Sequence, residues 1–253
     1  MRVDRTALPD FPWDRLEPYK AQAARHPGGI VDLSVGTPVD PTPDIARRAL
    51  EAASDAPGYP LTHGTPALRA AATDYLRRRF GVIDLDPEAV LPTIGAKELV
   101  AWLPTLLGIG PGDVIVIPET AYPTYAVGGQ LAGAEVVATD APDALDESVV
   151  ERVRLVWLNS PANPTGRIWD AAHLAKIVAW GRERDILVVS DECYLEYAWD
   201  AEPVSVLAPE VCGGSPEGLL SVHSLSKRSN LAGYRAGFVT GDRLHVAALL
   251  AVR

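Results

Sequence analysis

The chain has 253 residues, 47% of them hydrophobic and 22% charged, which is typical of a globular protein and not of a disordered one. Its net charge of −10 argues against a nucleic-acid partner. Two cysteines are too few for a disulfide framework or a cysteine-rich zinc site, and they suit a cytoplasmic location. The N-terminus lacks the apolar core of a signal peptide, and the most apolar segment, residues 99–109, is short and broken by Pro104, so no membrane partner is expected.

The N-terminal third predicts three helices and one strand. Residues 14–26 have an amphipathic pattern, with Asp14 as the predicted cap. Residues 30–35 follow as a short predicted strand, and helices are predicted over 44–53 and 66–80. The loop that joins these helices, residues 58–65, carries an aromatic side chain, a histidine and two glycines, a composition that indicates a functional loop.

From residue 89 onward, apolar strands alternate with helices. This alternation predicts an α/β fold of three layers, α/β/α, with a mainly parallel, doubly wound sheet. The predicted strands are residues 89–94, 114–117, 135–138, 155–158, 186–190, 218–223 and 238–240, and the predicted helices are 95–107, 122–131, 170–183 and 243–253.

One lysine lies where open α/β sheets bind their ligands, just beyond the carboxyl end of a strand. Lys227 ends the sequence Ser224-Leu-Ser-Lys and precedes Arg235 by eight residues. A lysine that is partly desolvated near other cations becomes a nucleophilic amine. Such an amine forms a Schiff base with an aldehyde, and pyridoxal phosphate is the commonest aldehyde cofactor. Serine acylases also contain Ser-x-x-Lys, and a surface lysine in a loop is the simpler alternative.

The strand at 186–190 is followed by Asp191, Glu192 and Tyr194. An acidic pair after an apolar strand resembles that of a nucleotide hydrolase, but the chain has no Gly-Lys dipeptide for a phosphate-binding loop. A metal site would need further ligands, and no histidine cluster accompanies the pair. A carboxylate at this position can instead keep a pyridinium nitrogen protonated, and Tyr194 could reach the same ring.

Two further turns are suited to an anion. Gly95-Ala96-Lys97 lies between a strand and a helix, so its backbone amides could approach a phosphate at the helix N-terminus. Arg235 precedes an apolar run and could clamp a phosphate through two hydrogen bonds. An ordinary tight turn and a surface cation are the simpler alternatives.

Two more turns carry side chains suited to a flat ring. Asn163, in Asn-Pro-Thr-Gly, could donate to a phenolic oxygen, and Tyr122 could stack on a ring. Turn chemistry alone and a core tyrosine are the alternatives. His63 and His223 could transfer protons, but a structural role is more common for each.

Together these motifs resemble the fold-type I pyridoxal-phosphate enzymes, in particular the class I/II aminotransferases. Their order is the family's: Gly-Ala-x, Tyr-Pro, Asn-Pro-Thr-Gly, Asp-x-x-Tyr, Ser-x-Ser-Lys and Arg-x-Gly. The resemblance implies a homodimeric transaminase that takes amino-acid and 2-oxoacid substrates. It also implies that residues 1–40 form an N-terminal arm and part of a small domain, and that residues 41–253 form the large cofactor-binding domain.

The resemblance assigns the catalytic roles by position. Lys227 would carry pyridoxal phosphate as a Schiff base and move the proton between the substrate Cα and the cofactor. Asp191 would pair with the pyridine nitrogen. Asn163 and Tyr194 would hydrogen-bond the phenolic oxygen, and Tyr122 would stack on the ring.

The same resemblance assigns the remaining contacts. Tyr59 would reach the phosphate of the neighbouring subunit, and Gly36, with Asn163, would bind the substrate. The phosphate in the chain's own site would be held by the turn residues Gly95, Ala96 and Lys97, by Ser224 and Ser226, and by Arg235.

Residues 9–14, 32–40, 94–105 and 190–195 look like the succinyldiaminopimelate aminotransferases of lysine biosynthesis. This finer resemblance implies N-succinyl-diaminopimelate and the 2-oxoglutarate/glutamate pair as substrates. Family members continue past the equivalent of Arg253 by on the order of 100 residues, so we expect the C-terminal small domain to be missing here. A carbon–sulfur lyase or synthase of the same fold, and a truncated chain that binds the cofactor without turnover, are the alternatives.

Overall fold

The computed structural model describes residues 8–9, 12–36 and 38–253. The chain divides into two compact units, Met1–Pro41 and Thr42–Arg253, which we call the first and the second unit. The assignment of residues 1–40 to an arm and a small domain stays a prediction, as does that of 41–253 to a cofactor-binding domain.

The first unit contains a short 3₁₀ helix, Pro12–Leu16, followed by α1, Glu17–Ala23. The predicted Asp14 cap is wrong, because Leu16 occupies the N-cap position and makes no side-chain cap bond. The predicted strand at 30–35 is also wrong: its described residues form no strand, and Leu33 is 88% exposed. Part of the motif at 9–14, and residue 37 within that at 32–40, lie outside the described residues.

The second unit is built on one seven-stranded sheet with helices on both faces. The strands are β1 Val90–Thr93, β2 Val114–Ile117, β3 Glu135–Ala138, β4 Val153–Asn159, β5 Leu187–Asp191, β6 Leu219–Ser224 and β7 Gly237–Gly241. The helices are α2 Asp44–Ala52, α3 Pro66–Phe80, α4 Ala96–Leu106, α5 Thr124–Ala132, α6 Glu147–Val150, α7 Ala171–Glu183, α8 Pro209–Cys212, α9 Leu225–Arg228 and α10 Arg243–Ala251.

The strand order is β1-β7-β6-β5-β4-β2-β3. Strands β2 to β6 pair in parallel, while β7 runs antiparallel to both of its neighbours, β1 and β6. The prediction of a mainly parallel, doubly wound sheet is therefore confirmed.

Each face of the sheet has its own apolar core, because successive strand residues point to opposite faces. Val114 and Val116 of β2 face a core that α3 and α7 cover, whereas Ile115 and Ile117 face one that α4, α5 and α10 cover. These two cores give the three-layer architecture. Among the described residues, no helix is both long enough and apolar enough to cross a membrane.

Candidate active site

The sheet register brings three predicted motifs to the same edge. Gly237, at the start of β7, pairs with Thr93 at the end of β1 and with Ser224 at the end of β6. The turn after β1, the turn after β6 and the segment before β7 therefore meet. Two strands further along the sheet, Asn159 pairs with Asp191 at the same carboxyl edge.

Gly95 and Arg235 form the tightest contact at this edge. Gly95 is the N-cap of α4 with φ 76°, and a Cβ there would collide with the Arg235 guanidinium. Arg235 Nη1 also lies 3.5 Å from Ser226 Oγ, and Ser224 Oγ accepts a hydrogen bond from Ser226 N at 3.1 Å. A guanidinium, a helix N-terminus and two hydroxyls thus converge, which is the chemistry that holds a phosphate.

Lys227 lies on the one-turn helix α9, directly after β6, and is half-buried. Burial raises the pKa of the Cys193 thiol, and the charge of Lys227 opposes that rise. The charge of Lys227 therefore acts on Cys193, two residues after Asp191, which ends β5.

Asp191 is 8% exposed at the end of β5. Its carboxylate accepts hydrogen bonds from the Tyr125 hydroxyl at 2.8 Å and from Cys193 N at 3.1 Å. Both donors are neutral, and burial raises the pKa of Asp191. A cation placed against this carboxylate would favour its charged form, as a pyridinium nitrogen would.

Tyr122, Tyr194 and Asn163 lie near this carboxylate in the fold. The ring of Tyr122 meets that of Tyr125 edge to face, with centroids 6.3 Å apart. Tyr194 is half-buried, and burial raises its pKa to about 12, so its hydroxyl is a donor at neutral pH. Asn163 N donates to Asn159 Oδ1 at 2.7 Å, which ties the turn after β4 to the strand that pairs with β5.

The remaining predicted residues differ in exposure. Ala96 is buried in the first turn of α4, while Lys97 beside it is exposed. Tyr59 is fully exposed in the loop between α2 and α3. Gly36 belongs to the first unit, so its role above a substrate stays a prediction.

Two residues of the site are absent from the sequence-based predictions. Tyr125 follows Tyr122 by three positions, in the first turn of α5, and its hydroxyl donates to Asp191. Asn159 donates through Nδ2 to the backbone carbonyl of Asp191 at 2.9 Å and to that of Pro161 at 3.2 Å. The sequence does show a tyrosine three positions after Tyr122 and an asparagine at the end of a predicted strand. Neither feature indicates that Asp191 is the hydrogen-bond partner.

Glu192 points to the opposite face of the sheet. Its carboxylate accepts hydrogen bonds from Val206 N at 2.7 Å and from the Ser205 hydroxyl at 2.8 Å, and it lies 3.5 Å from His223 Nε2. His223 thus belongs to a buried polar cluster, which supports the structural role considered for it from the sequence. Within the described part of the chain, no group of three or more potential metal ligands occurs.

Known proteins resemble the chain over nearly its full length. The family model "Aminotransferase class I and II" matches residues 29–253. A 4-dedimethylamino-4-oxo-anhydrotetracycline transaminase from Streptomyces rimosus is 58% identical over 97% of this chain and 67% of its own length. A probable aminotransferase from Mycobacterium tuberculosis is 60% identical over 98% of this chain but only 58% of its own. The chain thus spans about three fifths to two thirds of these relatives.

Among solved structures, a probable N-succinyldiaminopimelate aminotransferase from Thermus thermophilus matches with a TM-score of 0.83 and 31% identity. That match covers 95% of this chain and 67% of the solved one. The order of the site motifs, the sheet that supports them and these matches agree. The chain therefore belongs to the class I and II aminotransferases, a family that depends on pyridoxal phosphate.

Proposed function

We propose that this chain carries the cofactor site of a pyridoxal-phosphate-dependent transaminase. One observation carries the proposal: the Arg235 guanidinium contacts Gly95 and also lies near Ser226. Ser226 directly precedes Lys227 in the sequence. An anion site thereby adjoins the only lysine on the turn after β6. Because the chain spans only part of its relatives' length, the activity, the substrates and the partners are all proposed.

The residues fit the cofactor at both of its ends. At one end, the missing side chain of Gly95 lets the Arg235 guanidinium lie against the N-terminus of α4, beside Ser224 and Ser226, a set of donors that suits a phosphate. At the other end, Asp191 is a buried acceptor with neutral donors, which suits a cationic ring nitrogen.

Pyridoxal phosphate, when bound, supplies a ring that withdraws electrons from the substrate Cα. Lys227 Nζ would bind the aldehyde carbon and, as a free amine, take the proton from the substrate Cα and return it. Asp191 would hold a proton on the ring nitrogen. Asn163 and Tyr194 would donate to the phenolic oxygen, and Tyr122 would pack against the ring face.

We propose N-succinyl-diaminopimelate with the 2-oxoglutarate/glutamate pair as substrates, in lysine biosynthesis. The motifs at 94–105 and 190–195 and the similarity to the Thermus thermophilus protein support this choice. The higher identity to the Streptomyces rimosus transaminase favours a second candidate, amino transfer to a polycyclic ketone.

We also propose a homodimer in which Tyr59 reaches the phosphate of the neighbouring site. The full exposure of Tyr59 in its loop is compatible with such a contact. A cytosolic location is supported by Cys193 and Cys212, both of which are free thiols.

The visible absorption spectrum of the purified chain with pyridoxal phosphate tests the proposal, before and after addition of glutamate. We expect a protein-bound cofactor band that bleaches with glutamate in the wild type, and no covalent attachment in Lys227→Ala. Attachment that persists in Lys227→Ala would move the reactive amine to another residue. Succinyl-diaminopimelate, tested as an amino donor in place of glutamate, and a polycyclic ketone, tested as the amino acceptor after glutamate, then separate the two candidates.

The cofactor spectra, together with assays of the released products, distinguish the remaining alternatives. Release of pyruvate and ammonia from a cysteine conjugate, without formation of pyridoxamine phosphate, would indicate a carbon–sulfur lyase. A stable band that no amino donor changes would indicate cofactor binding without turnover.

A further inference from the structure

The turn that carries Lys227 is too short to hold itself in place. Helix α9 has only four residues, Leu225–Arg228, and a single helical turn is unstable in isolation. Its first residue is fixed by Leu225 N, which donates to Ala236 O at 3.0 Å. The end that carries the lysine must be positioned by contacts from elsewhere in the fold.

Tyr197 supplies one such contact. Its hydroxyl donates to the backbone carbonyl of Lys227 at 2.8 Å. Backbone N–H groups of Ser229 and Asn230 also donate to that carbonyl, the second at a longer 3.4 Å. The tyrosine hydroxyl is thus a side-chain donor from another part of the fold, and it lies closer to this carbonyl than Asn230 N does.

Glu196 supplies a second contact, to the residue after the lysine. Its carboxylate lies 3.7 Å from Arg228 Nε and 2.5 Å from Arg79 Nη2 of α3. The Arg228 guanidinium also lies 4.0 Å from the centroid of Tyr75 on α3. Burial acts to raise the pKa of Glu196, but hydrogen bonds from Arg79 and Tyr75 leave it lowered, so the carboxylate is charged at neutral pH.

The segment that makes these contacts also carries the proposed ring partners. Asp191 and Tyr194 face the candidate site, and the rings of Tyr194 and Tyr197 meet edge to face with centroids 6.4 Å apart. One short stretch, residues 191–197, therefore contacts both the candidate site and the backbone of Lys227.

We propose that Tyr197 is a positioning residue for Lys227, which it holds through the backbone carbonyl at the distance from Asp191 and Tyr194 that the proposed reaction needs. The inference rests on the proposed function. It concerns the reach and orientation of the Lys227 amine. Small displacements of a reacting group strongly slow covalent and proton-transfer steps.

The test compares two tyrosine-to-phenylalanine substitutions. Tyr197→Phe removes the hydroxyl and keeps the ring that packs on Tyr194. Tyr19→Phe removes an exposed hydroxyl in the first unit and serves as the matched control. For each variant, the rate of covalent attachment of pyridoxal phosphate to Lys227 is measured by absorption, and the attachment is trapped with borohydride and mapped by peptide mass.

We expect Tyr197→Phe to attach the cofactor about two- to tenfold more slowly than the wild type, the loss that one hydrogen bond accounts for, and Tyr19→Phe to match the wild type. If Tyr197 acts by positioning Lys227, Tyr197→Phe should leave cofactor affinity unchanged when it is combined with Lys227→Ala. A merely structural role would weaken binding in both backgrounds.

Three results would overturn the inference, and they are distinguishable. Equal attachment rates in Tyr197→Phe and Tyr19→Phe would remove the positioning role alone. An equal loss of affinity in the Lys227→Ala background would assign Tyr197 to the general integrity of the site. A wild-type chain that never attaches pyridoxal phosphate to Lys227 would refute the proposed function together with the inference.

Discussion

Asp191 and Glu192 are consecutive acids at the end of the same strand, yet they serve opposite faces of the sheet. Asp191 accepts from the Tyr125 hydroxyl and faces the carboxyl edge where the site motifs meet. Glu192 accepts from Ser205 and lies near His223, inside the layer beneath. Burial raises the pKa of both carboxyl groups, and raises that of Glu192 to about 7.

The comparison shows that a perturbed pKa does not by itself identify a catalytic acid. Desolvation acts on both groups, but only Asp191 lies at the edge of the sheet where an α/β fold binds its ligands. Glu192 is enclosed by Val206 N, Ser205 and His223, so no substrate reaches it. We therefore expect substitutions of the two acids to have different effects. Loss of Asp191 should remove activity, and loss of Glu192 should lower stability.

Asp191→Asn should have the largest effect. The amide keeps the size of the side chain but removes the charge that would hold the ring nitrogen protonated. The glutamate half-reaction should slow by about a hundred- to a thousandfold, as on loss of a catalytic electrostatic partner. Stopped-flow absorption measures the rate, with Glu192→Gln as the control, which should stay within a few-fold of the wild type. Comparable losses in the two variants would contradict the division of roles.

Glu192→Ala should have the largest effect on folding. The substitution leaves Val206 N and the Ser205 hydroxyl without their acceptor in a buried position. We expect the free energy of unfolding to fall by about 2–3 kcal/mol, because buried polar groups without partners are costly. Urea denaturation followed by circular dichroism measures the change. A loss below half of this in Glu192→Ala would mean that the cluster relaxes around the missing side chain.

The same cluster should give the stability a distinctive pH dependence. The pKa of Glu192 is raised from 4.5 to about 7, so its contribution to stability is present at low pH and is lost as the pH rises through that range. Burial lowers the pKa of His223 from 6.5 to about 3, so its contribution is present at neutral pH and is lost on acidification. Between about pH 4.5 and 6.5 the two slopes oppose each other, and the wild type should show little dependence from this pair.

Glu192→Gln removes the first of these slopes and keeps the second. Relative to the wild type, the variant should gain on the order of 2 kcal/mol in the free energy of unfolding between pH 5 and pH 8. Denaturation curves at the two pH values measure the gain. A constant difference between the two proteins across this range would show that Glu192 is already ionised at low pH in the folded state.

The local signals of the sequence located most elements of the second unit. Helix α3 has the predicted limits because Thr65 caps its N-terminus through its side chain and Gly81 ends it with φ 65°. Strands β2 and β3 are also as predicted, since short apolar runs are bounded by turns. The strand predicted at 30–35 fails because apolar side chains alone do not supply a partner strand.

The partners within the site could not be predicted in the same way. The hydrogen bond from Tyr125 to Asp191 joins residues 66 positions apart, and it depends on how α5 packs on the sheet. The contact of Arg235 with Gly95 depends on the antiparallel β7, which brings the segment before it beside the end of β1. Sequence motifs name such residues separately, and the register of the sheet decides which of them meet.

Ser205→Ala should have the smallest effect and also the most local one. Its hydroxyl donates to Glu192 at 2.8 Å and accepts from Leu207 N at 3.2 Å. The substitution removes these two hydrogen bonds, while Val206 N still donates to the Glu192 carboxylate. We expect a loss of about 1 kcal/mol in the free energy of unfolding. Ser54→Ala removes an exposed hydroxyl that bonds only to Glu51 O, and should change stability by less than about 0.5 kcal/mol. Because Ser205 belongs to the face of Glu192, cofactor attachment at Lys227 should be unchanged in Ser205→Ala; slower attachment would mean that the two faces of the strand end are coupled.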